Sequence, residues 1–182
     1  FGDSGKDSIL AGGGSDSVSG GSGDDTVKAS DGNDTVRGGE GNDSLVGSFG
    51  DDYLLGGSDN DILEGGKGND TLSGFTGNDT LTGGEGKDIL TGGDGTDSFI
   101  FRSLIDSIRT DFDRIRDFEV GIDTVDVTAL GFTDFTYGAA SGTELGGIYS
   151  ANSGRTYVFN EDQSFFLALD GVDNLQATDF SF

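Results

Sequence analysis

The chain of 182 residues contains no proline, cysteine, histidine, methionine or tryptophan. Without cysteine there is neither a disulfide staple nor a thiolate zinc site. Without histidine there is no imidazole base, no Ser-His-Asp triad and no zincin motif, which removes most hydrolytic catalysis. Positive charge is scarce as well: 10 Lys and Arg stand against 34 Asp and Glu, for a formal net charge of −24. Such a surface repels nucleic acid and anionic membranes, and no apolar run reaches the length of a membrane span. A cation is the partner this composition calls for.

Glycine is abundant, at 35 residues, and aspartate returns every nine positions from residue 2 to residue 100. The aspartates are Asp7, Asp16, Asp25, Asp34, Asp43, Asp52, Asp61, Asp70, Asp79, Asp88 and Asp97. Two places after each stands an aliphatic or Phe: Ile9, Val18, Val27, Val36, Leu45, Leu54, Leu63, Leu72, Leu81, Leu90 and Phe99. Eleven units follow one another without insertion, so a chance origin is not a serious competitor. The fourth position of the unit is Gly5, Gly14, Gly23, Gly32, Gly41, Gly50, Gly68, Gly77, Gly86 or Gly95, with Asp59 the one exception. The second position is looser, admitting Asp3, Ser30, Ser48 and Phe75.

Six glycine-rich residues form a turn whose backbone can enter the φ > 0 region. Three residues around the apolar position form a short strand with its central side chain inward. Two units then make one coil of eighteen residues, and stacked coils give a flattened right-handed parallel roll. Asp7, Asp25, Asp43, Asp61, Asp79 and Asp97 fall on one edge, and Asp16, Asp34, Asp52, Asp70 and Asp88 on the other. Carboxylates stacked about 4.8 Å apart repel unless a cation sits between them. Calcium suits the gap because it accepts six to eight oxygen ligands, backbone carbonyls included, whereas magnesium demands a near-ideal octahedron and keeps its waters. Five gaps on one edge and four on the other leave room for about nine ions. Those ions would bring the formal charge from −24 to about −6. The calcium-free ladder is expected to be largely disordered, given its glycine content and charge. Asp24, Asp51, Asp94, Glu40 and Glu85 fall at free turn positions and read as solvated charge.

Units such as GGSGDDTVK (20 to 28), GGEGNDSLV (38 to 46) and GGKGNDTLS (65 to 73) match the G-G-x-G-x-D-x-U-x pattern. The ladder therefore resembles the RTX, or hemolysin-type, calcium-binding nonapeptide repeat family. The resemblance implies an all-β parallel β-roll with calcium in its turns. Each ion would be held by the aspartates of successive coils and by turn carbonyls, including those of the fourth-position glycines named above.

After Ile100 the composition changes. Glycine falls to 8 residues, ten of the 14 Phe appear, and five of the six Arg are here. DRIRDF, DTVDV, RTYVF and SFFLAL cluster like strands, and Ser103 to Arg109 reads as a short helix. The chain thus divides into a roll over 1–100 and a β-rich cap over 101–182 that closes the open end of the solenoid. DRIRDFEVGIDTVDVTALGF resembles the block that follows the repeats in RTX proteins. FIFRSLIDSIRT, GTELGGIYSANSGRTYVF and FFLALDG resemble the R-modules of secreted mannuronan (alginate) C-5-epimerases.

The R-module resemblance implies a non-catalytic module that assists an alginate-modifying enzyme through calcium supply and substrate contact. Arg102, Arg109, Arg114, Arg116 and Arg155 are the tail residues suited to uronate carboxylates; ion pairs with Asp111, Asp113, Asp117 and Glu119 are the competing role. The ending TDFSF resembles the uncleaved signal of type I secreted proteins, placing that signal at 173–182 and the protein outside the cell. Phe1 falls where the last residue of a preceding nonapeptide would, so the chain is expected to be the C-terminal piece of a longer protein and to be monomeric. Other readings are a structural or adhesive RTX segment, or the secretion domain of an RTX protease or lipase. An enzymatic role for the chain itself is weakest: carboxylate pairs can cleave glycosides, but these repeat with the lattice. Tyr137, Tyr149 and Tyr157 read as packing or surface residues.

Overall fold

The computed structural model describes all residues except 109, 133, 138–143, 151–154, 161–163 and 173, and for 134–137 and 144–150 it describes the backbone alone. The ladder forms β1 (Ser8–Gly13), β2 (Ser17–Ser22), β3 (Thr26–Asp31), β4 (Thr35–Glu40), β5 (Ser44–Phe49), β6 (Tyr53–Ser58), β7 (Ile62–Lys67), β8 (Thr71–Thr76), β9 (Thr80–Glu85), β10 (Ile89–Asp94) and β11 (Ser98–Ile100). The tail adds β12 (Asp113–Ile115), β13 (Thr124–Asp126), β14 (Asp134–Tyr137), β15 (Glu144–Ser150), β16 (Arg155–Phe159), β17 (Phe166–Asp170) and β18 (Phe180–Ser181).

Odd and even strands separate into two sheets, as an eighteen-residue coil requires. One has eight strands in the order β1-β3-β5-β7-β9-β11-β13-β18. The other has ten, running β2-β4-β6-β8-β10-β12 and then β17-β16-β15-β14. Every ladder pair is parallel with a register of eighteen, as in Val27 with Leu45 and Leu63 with Leu81. The apolar column from Val27 through Leu90 to Phe99 lies between the sheets with no exposed surface.

Strands β1 to β10 are six residues long rather than three. Each continues through the first three positions of the next unit, because the glycines there stay in the ladder: Gly12 pairs with Ser30, and Gly39 with Gly57. The turn proper shrinks to positions four to six. The backbone has positive φ at the second position, within the ladder, as well as at the fourth, in the turn. Ser30 (93°), Ser48 (96°) and Phe75 (81°) adopt it without being glycine, at a steric cost.

The tail extends both sheets. β12 pairs with β10, and β13 with β11, both in parallel. β17 and β18 add further parallel strands to these. β15, β16 and β17 then turn antiparallel. The tail core is aromatic: buried Phe101 and Phe165 meet edge-to-face at 5.4 Å, with Phe132 5.7 Å from Phe165. The short helix expected over 103–109 is absent among the described residues, since 103–107 form bends and a turn and Ile108 bridges to Asp111. Asp106 dictates this by accepting the amides of Arg102 and Ser103 on Oδ2, both at 2.8 Å.

Candidate metal centre

The repeat aspartates stand in two columns at the sheet edges, immediately before each strand. Within a column each Oδ1 accepts the backbone N–H of the aspartate one coil earlier. Asp7 donates to Asp25, Asp25 to Asp43, and Asp43 to Asp61, each at 2.8 Å. Asp16, Asp34, Asp52 and Asp70 repeat this on the other edge, each donating to the aspartate eighteen residues on. One carboxylate oxygen is thereby fixed, and the other is left over.

The second oxygen, Oδ2, is buried without a hydrogen-bond partner at Asp16, Asp25, Asp34, Asp43, Asp52, Asp61, Asp70, Asp79, Asp88, Asp97 and Asp113. Buried polar atoms are almost always satisfied, so a column of orphans marks places for a ligand that supplies positive charge. The first-position glycines make room for it. A Cβ at Gly56 would collide with Asp61 Oδ2 and approach the Gly74 carbonyl of the next coil, and Gly74 stands in the same relation to Asp79 and Gly92. Carboxylate oxygen and carbonyl oxygen therefore share one small cradle. Among the described residues no group of three acidic side chains could hold an ion by itself, so a donor set at these cradles would combine carboxylates with backbone carbonyls, the hard-oxygen chemistry of calcium.

Burial makes the bare carboxylates poor anions. It pushes Asp61 and Asp70 up to about 7 against the backbone hydrogen bonds that stabilise charge, with neighbouring aspartates adding to the rise. Asp97 rises to about 6 and Asp88 to about 8 for the same reasons. A cation in the cradle would reverse this by favouring the charged form.

The columns are longer than the repeats. Asp88 N–H donates to Asp113 Oδ1 at 2.8 Å and Asp97 N–H to Asp123 Oδ1 at 2.9 Å, across gaps of 25 and 26 residues. Periodicity hid these two, but Asp113-Arg-Ile115 and Asp123-Thr-Val125 keep the aspartate-x-apolar tripeptide that would have revealed them. Outside the turns runs a second ladder of opposite polarity. Asn42 N–H donates back to Asp24 Oδ1, Asn60 to Asn42, and Asn78 to Asn60, between 2.7 and 3.1 Å. Asp24 and Asp51 belong to this exposed ladder, so they pin turns while remaining solvated.

The fourth-position glycines, from Gly5 to Gly95, all have positive φ, between 102° and 148°. Packing makes them obligatory in mid-ladder, where a Cβ at Gly68 or Gly86 would strike the backbone of Gly50 or Gly68. Of the arginines, Arg114 and Arg155 both grip Asp170, and Arg102 reaches Glu64 at 3.4 Å. The ion-pair partners are thus carboxylates other than those expected. Arg116 is exposed, and Arg109 lies outside the described residues. Lys28, Lys67 and Arg102, with Glu64 and Glu85, line an open groove of about 440 Å³ on the eight-stranded sheet. Tyr157 packs among Phe112 and Phe166 at 6.2 and 5.4 Å, while the side chains of Tyr137 and Tyr149 lie outside the described residues.

A two-sheet parallel roll whose edges carry columns of orphaned carboxylate oxygens over glycine cradles defines a calcium-binding β-roll. The RTX calcium-binding nonapeptide repeat (4 copies) matches residues 1–36, 28–63, 37–72, 64–99 and 73–108, and the chain belongs to that family. Its fold is similar to the solution structure of the AlgE6R3 subunit of the Azotobacter vinelandii mannuronan C5-epimerase. That match has 37% identity over 75% of this chain and 80% of that one, with a TM-score of 0.63. The AlgE6R2 subunit of the same epimerase gives 36% identity over 75% of this chain and 91% of that one, with a TM-score of 0.61. No curated protein sequence matches the chain.

Proposed function

We propose that the chain is a non-catalytic module of a secreted bacterial protein that folds when it meets extracellular calcium and assists an alginate-modifying enzyme. The observation carrying the calcium half is the set of buried, partnerless Oδ2 atoms in two edge columns. About nine gaps between the repeat aspartates are the ion sites, with turn carbonyls completing each shell. A chain without cysteine that is unfolded at cytosolic calcium and folds outside suits export through a narrow channel, and residues 173–182 would carry the type I signal. Deleting them should trap the parent protein inside the cell, and normal export would count against the signal.

The alginate half rests on the likeness to two epimerase subunits. Arg116, which is exposed, and Arg102, whose pair with Glu64 is long and solvent-exposed, are its best-placed contacts, because Arg114 and Arg155 are held by the half-buried Asp170. Calorimetric titration with alginate, with and without calcium, tests it: binding only with calcium, weakened in an Arg102→Ala/Arg116→Ala variant, is the expected result. Calcium-dependent folding without alginate binding would leave the structural or adhesive role.

A further inference from the structure

The two aspartate columns end differently in the tail. On one edge Asp123 accepts Asp97 N–H on Oδ1 and Glu119 N–H on Oδ2, the latter at 2.9 Å, so both its oxygens are engaged by peptide groups. On the other edge Asp113 accepts Asp88 N–H on Oδ1, while its Oδ2 is buried with no partner. Asp88 and Asp113 both have no exposed surface, and both Oδ2 atoms are orphaned. Above Asp113 the column stops. Its own N–H donates at 2.8 Å to the hydroxyl of fully buried Ser107, which in turn donates to the Phe166 carbonyl at the start of β17. Ser107 thus stands where the next aspartate of the column would stand. Asp106 and Asp111 lie close enough to add their field to that of Asp88 and Asp113.

We propose that the gap between Asp88 and Asp113 is a calcium site outside the nonapeptide repeats, and that it latches the tail onto the roll along one edge only. It rests on the calcium reading of the columns and goes beyond it in one respect: half of this site belongs to the tail. Two buried carboxylates one coil apart, each with an unsatisfied oxygen, carry the same local demand as any pair within the ladder. The Asp97–Asp123 junction makes a smaller demand, because the Glu119 amide already answers the second oxygen of Asp123. Filling the Asp88–Asp113 gap requires β12 to be seated on β10, so its calcium binds to the docked tail and not to the undocked one. By mass action the ion then stabilises docking, and the order of β17, which is hydrogen-bonded to β12 and to Ser107, follows.

The test uses the full chain, with Asp113→Asn and Asp123→Asn as a matched pair. Each substitution keeps the shape of the side chain and removes one negative charge. Bound calcium is counted by native mass spectrometry, and tail docking is followed by limited proteolysis between residues 101 and 182 across a calcium titration. Asp113→Asn should bind one ion fewer than the wild type. It should also need about tenfold more calcium for tail protection, with an unchanged far-UV spectrum of the ladder at saturating calcium. Asp123→Asn should keep the wild-type ion count and midpoint. A wild-type count in Asp113→Asn, or equal losses in the two variants, would overturn the latch while leaving the repeat sites intact. A wild type that binds no calcium would overturn the calcium reading itself and the latch with it.

Discussion

The backbone N–H of Asp43 donates to Oδ1 of Asp61 at 2.8 Å, while Oδ2 of the same Asp61 is buried with no partner. One oxygen thus sets the register between coils, and the other lies at the Gly56 cradle, where the proposed cation would bind.

Separating those jobs is possible with Asp61→Asn, which keeps an oxygen for the Asp43 amide and removes the charge. The folding midpoint in a calcium titration should rise roughly tenfold, since one shell in mid-ladder loses its anionic ligand. Asp24→Asn, on the exposed outer ladder, should leave the midpoint where it is. Equal effects would mean that the inner column is not special.

The two columns were legible in the sequence because an eighteen-residue coil turns a nine-residue spacing into vertical alignment. Val27 to Phe99 needed only the aspartate-x-apolar rule to be placed in the core. Asp113 and Asp123 escape the nine-residue spacing, because loops of irregular length precede them where the roll meets the tail, and only their aspartate-x-apolar tripeptides mark them. Strand length was underestimated because Gly and Ser at the first three positions look like turn residues. They remain in the ladder because positive φ at the second position is compatible with parallel pairing. The grip of Arg114 and Arg155 on Asp170 depends on β12 and β16 flanking β17, an arrangement with no local signature.

Acid should partly replace calcium. Burial raises Asp61 and Asp70 to about 7, Asp88 to about 8 and Asp97 to about 6 in the roll, from an ordinary value of 3.8. Between 3.8 and those values the folded state holds more protons than the unfolded one, so stability without calcium falls as pH rises through this window. In excess chelator the β-sheet signal should be greater at pH 4.5 than at pH 8. In the presence of calcium, protons compete for the same oxygens, and the calcium midpoint should rise as pH falls from 8 to 5. A chelated protein that gains structure on going from pH 4.5 to pH 8 would contradict this.

Phe75 is half-exposed and holds φ at 81° where Gly57 and Gly93 occupy the same position in adjacent coils. Relieving that backbone by Phe75→Gly should stabilise the calcium-loaded roll by about 1 kcal/mol. Denaturant unfolding at fixed saturating calcium measures it. Destabilisation would show that the ring contributes more by packing than the backbone loses.

Calcium-dependent folding is tested most directly by far-UV circular dichroism of the whole chain at pH 7.5, first in excess chelator and then with calcium or magnesium added. The expected result is a largely disordered spectrum in chelator, a cooperative gain of β-structure with calcium, and little or none with magnesium at the same concentration. A folded spectrum in excess chelator that calcium leaves unchanged would contradict it.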